Sequence, residues 1–143
     1  MKLILQTERL QLVPFDPDDL NWLHDTFTHP YVRQYLWDDK IISLEQAQEI
    51  LVVNEYNFNT YSWGLWKIRI IKEATYAGFT GLWFFFGESQ PQLLYGLLPE
   101  HIRQGYATEA SREIIRYAFT ELAFEYLIAA CDMPNLASKQ VCK

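Results

Sequence analysis

Three consecutive runs rich in aromatic and β-branched residues occupy the middle of the chain, and only short polar segments separate them. The runs are Ser62 to Ile71, Tyr76 to Phe86 and Gln92 to Leu98. Runs of this length and composition are typical of strands, and such short links leave no room for a crossover helix. The sequence therefore predicts an antiparallel meander at the centre of the fold.

A strand and a helix are predicted before this meander. Apolar and polar residues alternate from Thr7 to Val13, which indicates a half-buried strand. Asp16 then supplies a capping carboxylate ahead of Pro17 at the first helical position, so we expect a helix that continues to about Thr28.

Two further helices are predicted from capping residues and periodicity. Ser43 and Gln46 match a capping box, and apolar residues then recur every three or four positions, which predicts a helix from 44 to about 57. Another helix is predicted from about Tyr106 to Leu122, because small and apolar residues share one face and charged residues the other.

The region after this helix indicates a crossover. Tyr126 to Asp132 is a short apolar run with helical patterns on both sides, so we expect a β-α-β unit with a parallel strand pair. Asn135 to Lys143 begins one more helical pattern. The predicted fold class is mixed α/β, with an antiparallel meander followed by the crossover, and 1–143 is expected to form one domain.

Composition excludes several classes of function. The chain has 12 basic and 18 acidic residues, a net charge of −6 that does not favour nucleic acid. The longest apolar runs, Leu82 to Phe86 and Tyr126 to Cys131, are far shorter than the roughly 18 residues of a membrane span. The N-terminus is too short in apolar residues for a secretory signal, and Cys131 and Cys142 lack zinc-site spacing. We expect a cytoplasmic protein without a metal.

One segment carries recognisable chemistry, because a predicted strand leads through a loop into a predicted helix. Gly105 precedes the helix and Ala107 follows, so small side chains lie where the first free backbone N–H groups point outward. Such a helix start suits a pyrophosphate, and Arg103 adds positive charge. The same pattern also fits a glycine that merely permits a tight turn, and the spacing alone leaves both interpretations open.

Three short motifs follow one another along the chain. They are T-E-R-L-Q-L from Thr7 to Leu12, P-E-H-I-R-Q-G-Y-A-T-E-A from Pro99 to Ala110, and N-L-A-S from Asn135 to Ser138. In this order they resemble the GNAT superfamily of acyl-CoA-dependent N-acetyltransferases, above all the branch that acetylates ribosomal-protein N-termini. The resemblance implies a GNAT-like acyl-CoA N-acyltransferase fold.

The resemblance also implies acetyl-CoA as the cosubstrate. Backbone groups of Leu97 and Leu98 would pair with the pantetheine arm as if it were an added strand. Asn135 and Ser138 would reach the pantetheine and the thioester. The pyrophosphate would be held by the backbone N–H groups of Arg103, Gln104, Gly105, Tyr106, Ala107 and Thr108.

The implied reaction is acetylation of a primary amine, on a small molecule or a protein N-terminus. A neutral amine would attack the thioester, a backbone N–H near Leu97 would stabilise the oxyanion, and Ser138 would give a proton to the leaving thiolate. Ser138 can equally be a serine of the first helical turn that bonds its own backbone.

The chain departs from the family pattern in three places. Ile102 stands where the superfamily often has Gln or Arg, and Gln92 stands where a Glu can act as the base. An amide cannot accept a proton at neutral pH, so the base is unassigned between a relayed water, Glu73 and Asp132. Family members continue with a final hairpin, whereas this chain ends at Lys143, so a C-terminally truncated fold is expected.

Two other functions fit the same sequence. A non-catalytic acyl-CoA-binding remnant or sensor would account for Gln92 and for the missing hairpin. An aromatic-rich oligomerisation module would account for the aromatic content of 16%. The aromatic surplus also fits a homodimer, in which a second copy would cover what the hairpin covers in the family.

Overall fold

A computed structural model describes residues 3–33, 41–84, 91–124 and 128–129 of the chain. The strands in these segments are β1 (Leu5–Gln6), β2 (Leu10–Pro14), β3 (Leu65–Ile70), β4 (Thr75–Trp83), β5 (Gln92–Leu97) and β6 (Ile128–Ala129). The α-helices are α1 (Leu20–Thr28), α2 (Pro30–Arg33), α3 (Leu44–Tyr61) and α4 (Tyr106–Thr120). Short 3-10 turns cover Pro17–Asp19 and Pro99–His101.

The strands form one mixed sheet in which spatial order follows chain order from β1 to β6. Neighbours from β1 to β5 are antiparallel, and the four-residue connection 71–74 between β3 and β4 allows only a hairpin. β5 and β6 run parallel, with Gln92 opposite Ile128 and Leu93 opposite Ala129. The predicted meander, crossover and mixed α/β class are confirmed.

Helices cover both faces of the sheet. On one face α4 packs against a cluster that includes Leu10, Leu12, Trp66, Ile68, Ile70, Tyr95, Leu97, Ala110, Ile114 and Tyr117. On the other face α1, α2 and α3 pack around a second cluster that includes Leu23, Phe27, Val32, Ala47, Leu51, Leu65, Phe79 and Leu94. This arrangement leaves the start of α4 and the neighbouring end of β5 at the same edge of the structure.

The first predicted strand is wrong at its beginning. Thr7 to Arg9 form a tight turn between β1 and β2, in which the Thr7 N–H donates to the Leu10 carbonyl at 2.8 Å. The Thr7 hydroxyl accepts from the Leu10 N–H at 3.1 Å. A threonine side chain that bonds nearby backbone competes with a strand ladder, so the strand begins only at Leu10 and continues to Pro14.

The predicted helices are confirmed with shifted ends. The first begins with a 3-10 turn capped by Asp16 and continues as α1 to Thr28. α3 has the predicted capping box and continues past 57 to Tyr61, where Ser62 adopts a left-handed conformation with φ 64°. α4 ends at Thr120, two residues before the prediction.

Several predicted elements extend beyond the described residues. The second strand of the meander ends at Trp83, and the predicted residues Phe85 and Phe86 lie outside the described segments. The strand predicted from Tyr126 to Asp132 is described only at Ile128–Ala129. The helical pattern from Asn135 to Lys143 lies outside as well.

Candidate functional site

The candidate site lies where β5 leads into α4. β5 ends at Leu97, the chain passes through the 3-10 turn Pro99–His101, and the loop 102–105 reaches the first turn of α4. Pro99 cannot continue a ladder because it has no N–H, which helps to end the strand here. The predicted strand, loop and helix are therefore present in this order.

The start of α4 has no side-chain cap. Gly105 occupies the N-cap position with φ 80°, a left-handed conformation that glycine adopts without steric cost, and its carbonyl accepts from the Glu109 N–H at 3.0 Å. The next three N–H groups, those of Tyr106, Ala107 and Thr108, have no intrahelical acceptor and no other acceptor in the described part of the chain. Three free N–H groups at the positive end of a helix form an arrangement that binds anions.

The loop before the helix has a second left-handed residue. Arg103 has φ 63°, and both Arg103 and Gln104 are exposed. A left-handed conformation costs a non-glycine residue about 1–2 kcal/mol, so the surrounding contacts must hold it. Gln104 Nε2 donates to the Glu100 carbonyl at 3.4 Å. The turn 103–108 is therefore exposed but conformationally specific.

Leu97 and Leu98 differ in what their backbone groups can reach. The Leu98 N–H donates to Ala77 of β4 at 2.9 Å, and its carbonyl accepts from the His101 N–H at 3.0 Å. Backbone directions alternate along an antiparallel strand, so the N–H and C=O of Leu97 point away from β4, toward the side of β6. In the described segments β6 pairs with β5 only at Gln92 and Leu93. Leu97 thus presents an open strand edge, whereas Leu98 does not.

Ile102, which departs from the family pattern, is accounted for by packing. Its partly buried side chain lies against the cluster between α4 and the sheet. A charged or amide side chain in the same place would lose this apolar contact. The free N–H groups of the turn do not depend on this side chain.

A contact between two of the sequence motifs was not predicted. Glu109, in the first turn of α4, accepts from Arg9 Nε at 2.6 Å, from the Arg9 N–H at 2.9 Å and from the Thr7 hydroxyl. Burial alone would raise the pKa of the Glu109 carboxyl, but these hydrogen bonds outweigh it and lower the pKa below its ordinary value. The sequence offered one indication of this contact, since Arg9 and Glu109 have opposite charges and both belong to the motifs described above.

The turn at Thr7 to Arg9 and the outer face of α4 enclose a groove of about 600 Å³. The helical side of the groove begins at Gly105 and Thr108 and continues through Arg112 to Arg116. Its lining also includes three glutamates, two of them paired with Arg9 and Arg116, so the start of α4 lies at one end of a groove of mixed charge.

The remaining predicted residues contribute less to this geometry. Glu73 lies exposed on the turn between β3 and β4, and Gln92 pairs with Trp83 and Ile128 in the sheet. Asn135 and Ser138, predicted to reach the thioester, lie outside the described residues, as does Asp132. Within the described segments no group of three or more His, Cys, Asp or Glu side chains could hold a metal ion. The helices there include none that is long and apolar enough to cross a membrane.

Comparison with known proteins identifies the class. The model of the acetyltransferase (GNAT) domain family matches residues 9–143. The uncharacterized N-acetyltransferase YnaD of Bacillus subtilis (strain 168) is 24% identical over 139 residues, which cover 97% of this chain and 79% of YnaD. The chain therefore belongs to the GNAT acetyltransferase domain family, and the resemblance seen in its motifs is confirmed.

Solved structures share the fold. An acetyltransferase from Agrobacterium tumefaciens str. C58 superposes with a TM-score of 0.80 at 22% identity, covering 97% of this chain and 80% of that one. The ribosomal L7/L12 alpha-N-protein acetyltransferase RimL, in complex with coenzyme A, gives a TM-score of 0.77 at 15% identity, with coverages of 97% and 80%. These likenesses show a common architecture that includes a ribosomal-protein acetyltransferase.

Proposed function

We propose that this chain transfers the acetyl group of acetyl-CoA to a primary amine. The observation that carries the proposal is the uncapped start of α4 behind the left-handed Gly105, next to the open backbone edge of Leu97. The first feature suits a pyrophosphate and the second suits an extended chain of amides, and coenzyme A contains both in sequence. We further propose that residues 1–143 act as one domain.

The residues of the site would hold acetyl-CoA mainly through backbone groups. The free N–H groups of Tyr106, Ala107 and Thr108, with the turn at Arg103 to Gly105, would bind the pyrophosphate. Of the two leucines implied by the family resemblance, the proposal keeps Leu97 as the strand-like partner, because both Leu98 backbone groups bond within the protein. Asn135 and Ser138 keep their proposed roles near the thioester from the resemblance alone.

The proposed reaction is a direct transfer. A neutral amine forms a bond to the acyl carbon, the carbon–sulfur bond breaks, and coenzyme A leaves as a thiolate. The N–H of Leu97 would donate to the developing oxyanion, since it points away from β4. The proton lost by the amine passes to a base, either a relayed water, Glu73 or Asp132, and Ser138 would protonate the thiolate.

We propose a protein N-terminus as the first acceptor to test and a small-molecule amine as the second. The name of RimL as an alpha-N-protein acetyltransferase supports the first choice. A cytoplasmic location is proposed because two sparse cysteines do not form the disulfide framework typical of small exported domains.

We also propose a homodimer, although some of the aromatic side chains expected at its interface are buried within the chain itself. Trp63 and Trp66 are buried, and Trp66 packs edge-to-face on Phe58 with ring centroids 4.9 Å apart. Exposed apolar residues of α3, such as Val52 and Tyr56, would have to supply the contact instead. Light scattering that gives the mass of a single chain at all concentrations would contradict the dimer.

The activity is tested in two stages. Coenzyme A at roughly 100 times its Kd should add about 2.7 kcal/mol to the free energy of unfolding, measured by thermal denaturation. Thiol release from acetyl-CoA should then rise above background with a peptide that has a free α-amine. The same peptide with an acetylated N-terminus is the matched control and should stay at background.

The outcomes separate the candidate functions. An unchanged melting temperature would overturn coenzyme A binding and the transferase with it. Stabilisation by coenzyme A without thiol release from peptides or small amines would instead support the non-catalytic binding protein, for which Gln92 in place of a base is the favouring observation.

A further inference from the structure

The turn between β1 and β2 holds the carboxylate of Glu109 in a fixed orientation. Arg9 Nε donates to one carboxylate oxygen at 2.6 Å, while the Arg9 N–H at 2.9 Å and the Thr7 hydroxyl donate to the other. Both oxygens therefore bond toward β1 and β2. A carboxylate in the first turn would otherwise compete with a bound anion for the positive end of the helix.

The same arginine also holds the loop that precedes the helix. Arg9 Nη1 donates to the Gln104 carbonyl at 2.9 Å, and the guanidinium carbon lies 4.7 Å from the centroid of the Tyr106 ring. Arg9 therefore contacts the residues on both sides of Gly105. Its Nη2 lies 3.2 Å from the place that a Cβ on Gly105 would take, so any other residue here would make the guanidinium shift by a few tenths of an ångström.

The turn needs such an external contact because its own conformation is costly. Arg103 and Gly105 are both left-handed, and Arg103 adopts this conformation against the steric preference of a residue with a Cβ. A planar guanidinium with several donors can bond a carboxylate and a carbonyl at the same time in one geometry. An ammonium group has the same charge but not the same fork.

We infer that Arg9 is a positioning residue for the phosphate-binding turn 103–108, acting through the Gln104 carbonyl and the Glu109 carboxylate. This inference rests on the proposed binding of acetyl-CoA by that turn. It assigns a role to the Thr7–Glu8–Arg9 motif, whose arginine lies 95 residues before Gln104 in the sequence. The turn is held in its binding conformation before the ligand arrives.

The matched control is a second arginine–glutamate ion pair, in which both residues lie on α4. Arg116 Nη2 lies 2.6 Å from Glu113 Oε2, and its side chain is 49% exposed, compared with 45% for Arg9. The two pairs have similar distances and exposure, but Arg116 lies about two turns beyond Glu109 and bonds Glu113, Thr120 and Glu121 instead of residues of the turn. Exposed pairs of this kind contribute little to stability in general.

The experiment compares three variants of the full chain: Arg9→Gln, Arg9→Lys and Arg116→Gln. Calorimetric titration gives the Kd for coenzyme A, and amide hydrogen exchange of the ligand-free protein reports the order of residues 103–108. Arg9→Gln should weaken coenzyme A binding roughly tenfold, as expected when a charge-assisted hydrogen bond that orders the site is removed. It should also speed exchange in 103–108.

The other two variants separate positioning from charge and from general stability. Arg9→Lys should bind coenzyme A nearly as weakly as Arg9→Gln, because lysine restores the charge without the fork. Arg116→Gln should change neither the Kd nor exchange in the turn by more than about twofold, as expected for an exposed pair.

Two results would overturn the inference. One is unaltered exchange in 103–108 when Arg9 becomes glutamine, and the other is full recovery of affinity in Arg9→Lys, which would make the effect one of charge alone. A wild-type chain that binds no coenzyme A would overturn the proposed function instead. In that case the exchange comparison in the ligand-free protein still decides whether Arg9 orders the turn.

Discussion

The helices α3 and α4 begin in opposite ways. At the start of α3, the Ser43 hydroxyl accepts from the Gln46 N–H at 3.1 Å, and the Gln46 side chain accepts from the Ser43 N–H at 2.8 Å. At the start of α4, Gly105 has no side chain to accept any bond, and three N–H groups remain free. The capping box of α3 provides an acceptor for one of the first helical N–H groups within the chain, whereas the start of α4 provides none and leaves all three for an external acceptor.

The difference shows that a helix can lack a cap when other contacts stabilise it. α4 buries Ala110, Ile114 and Ala118 completely against the sheet, and the Tyr117 hydroxyl donates to the Ser62 carbonyl at the end of α3 at 2.7 Å. Packing of an apolar face supplies most of the stability of a protein helix. Because packing stabilises α4, the helix does not need a cap, and its first N–H groups remain available for binding.

The strongest test of this comparison is Gly105→Val. A β-branched side chain at φ 80° would have to shift the backbone and would meet Arg9 Nη2, so the free N–H groups would lose their common direction. We expect coenzyme A affinity to fall on the order of 100-fold, the equivalent of two charge-assisted hydrogen bonds of about 1.5 kcal/mol each. The free energy of unfolding should fall by only about 1–2 kcal/mol.

Calorimetric titration and urea unfolding measure these two quantities separately. Gly105→Asn is the companion variant, because asparagine enters the left-handed region more readily than valine, and it should lose less on both measures. Retention of wild-type affinity by Gly105→Val would show that the helix start does not bind the cofactor.

The second test removes the cap of α3, where we expect a loss of stability without a loss of coenzyme A affinity. Ser43→Ala removes the acceptor for the Gln46 N–H and should lower the free energy of unfolding by about 1 kcal/mol, whereas Ser43→Gly should cost only a few tenths. Coenzyme A affinity should not change, because α3 contributes no free N–H group to the site. A loss of affinity in Ser43→Ala would mean that the two helix starts are not independent.

The contrast between the helix starts also shows which features could be predicted from the sequence. The capping box of Ser43 and the glycine at 105 are local patterns within a few residues, and both are recognisable because the physics that creates them is equally local. The meander was predictable for the same reason, since its links are too short for any other connection. The order of elements followed from such local features.

Contacts between distant segments were not predictable in this way. The bonds from Thr7 and Arg9 to Glu109 exist only once β1, β2 and α4 are assembled, and they convert the expected start of a strand into a turn. The difference between Leu97 and Leu98 depends on strand register, because a shift of one residue would exchange their backbone directions. Periodicity does not determine register.

A smaller effect is expected at the far end of α4. Tyr117→Phe removes the hydrogen bond to Ser62 and should lower the free energy of unfolding by about 1 kcal/mol while leaving coenzyme A affinity unchanged. Burial raises the pKa of the Tyr117 hydroxyl, and the Glu121 carboxylate adds to the shift. The hydroxyl therefore contributes fully to stability at pH values below the unfolded-state tyrosine pKa of about 10. This contribution is lost as the pH rises through the higher pKa of the folded state.

Urea unfolding of both proteins from pH 7 to pH 11 checks this prediction. The advantage of the wild type over Tyr117→Phe should narrow above about pH 10, because only the wild type has a hydroxyl to ionise. A constant difference across this range would mean that the hydroxyl contributes through packing and not through its proton.

The smallest expected effect is the loss of stability at acidic pH, when protonation of Glu109 weakens its contact with the β1–β2 turn. Because the folded pKa of Glu109 lies below its unfolded value of about 4.3, folding favours the carboxylate, and this stabilisation is present at neutral pH. It is lost as the pH falls below that value toward the folded pKa. Since Arg9 is 45% exposed, the contribution should be below about 1 kcal/mol.

Urea unfolding between pH 6 and pH 3 checks this prediction. The free energy of unfolding should decline less steeply for Glu109→Gln than for the wild type. Thr7→Val, which removes one donor to the carboxylate, should fall between them. Parallel curves for all three proteins would mean that the hydrogen bonds at the open helix start do not favour the charged form of Glu109.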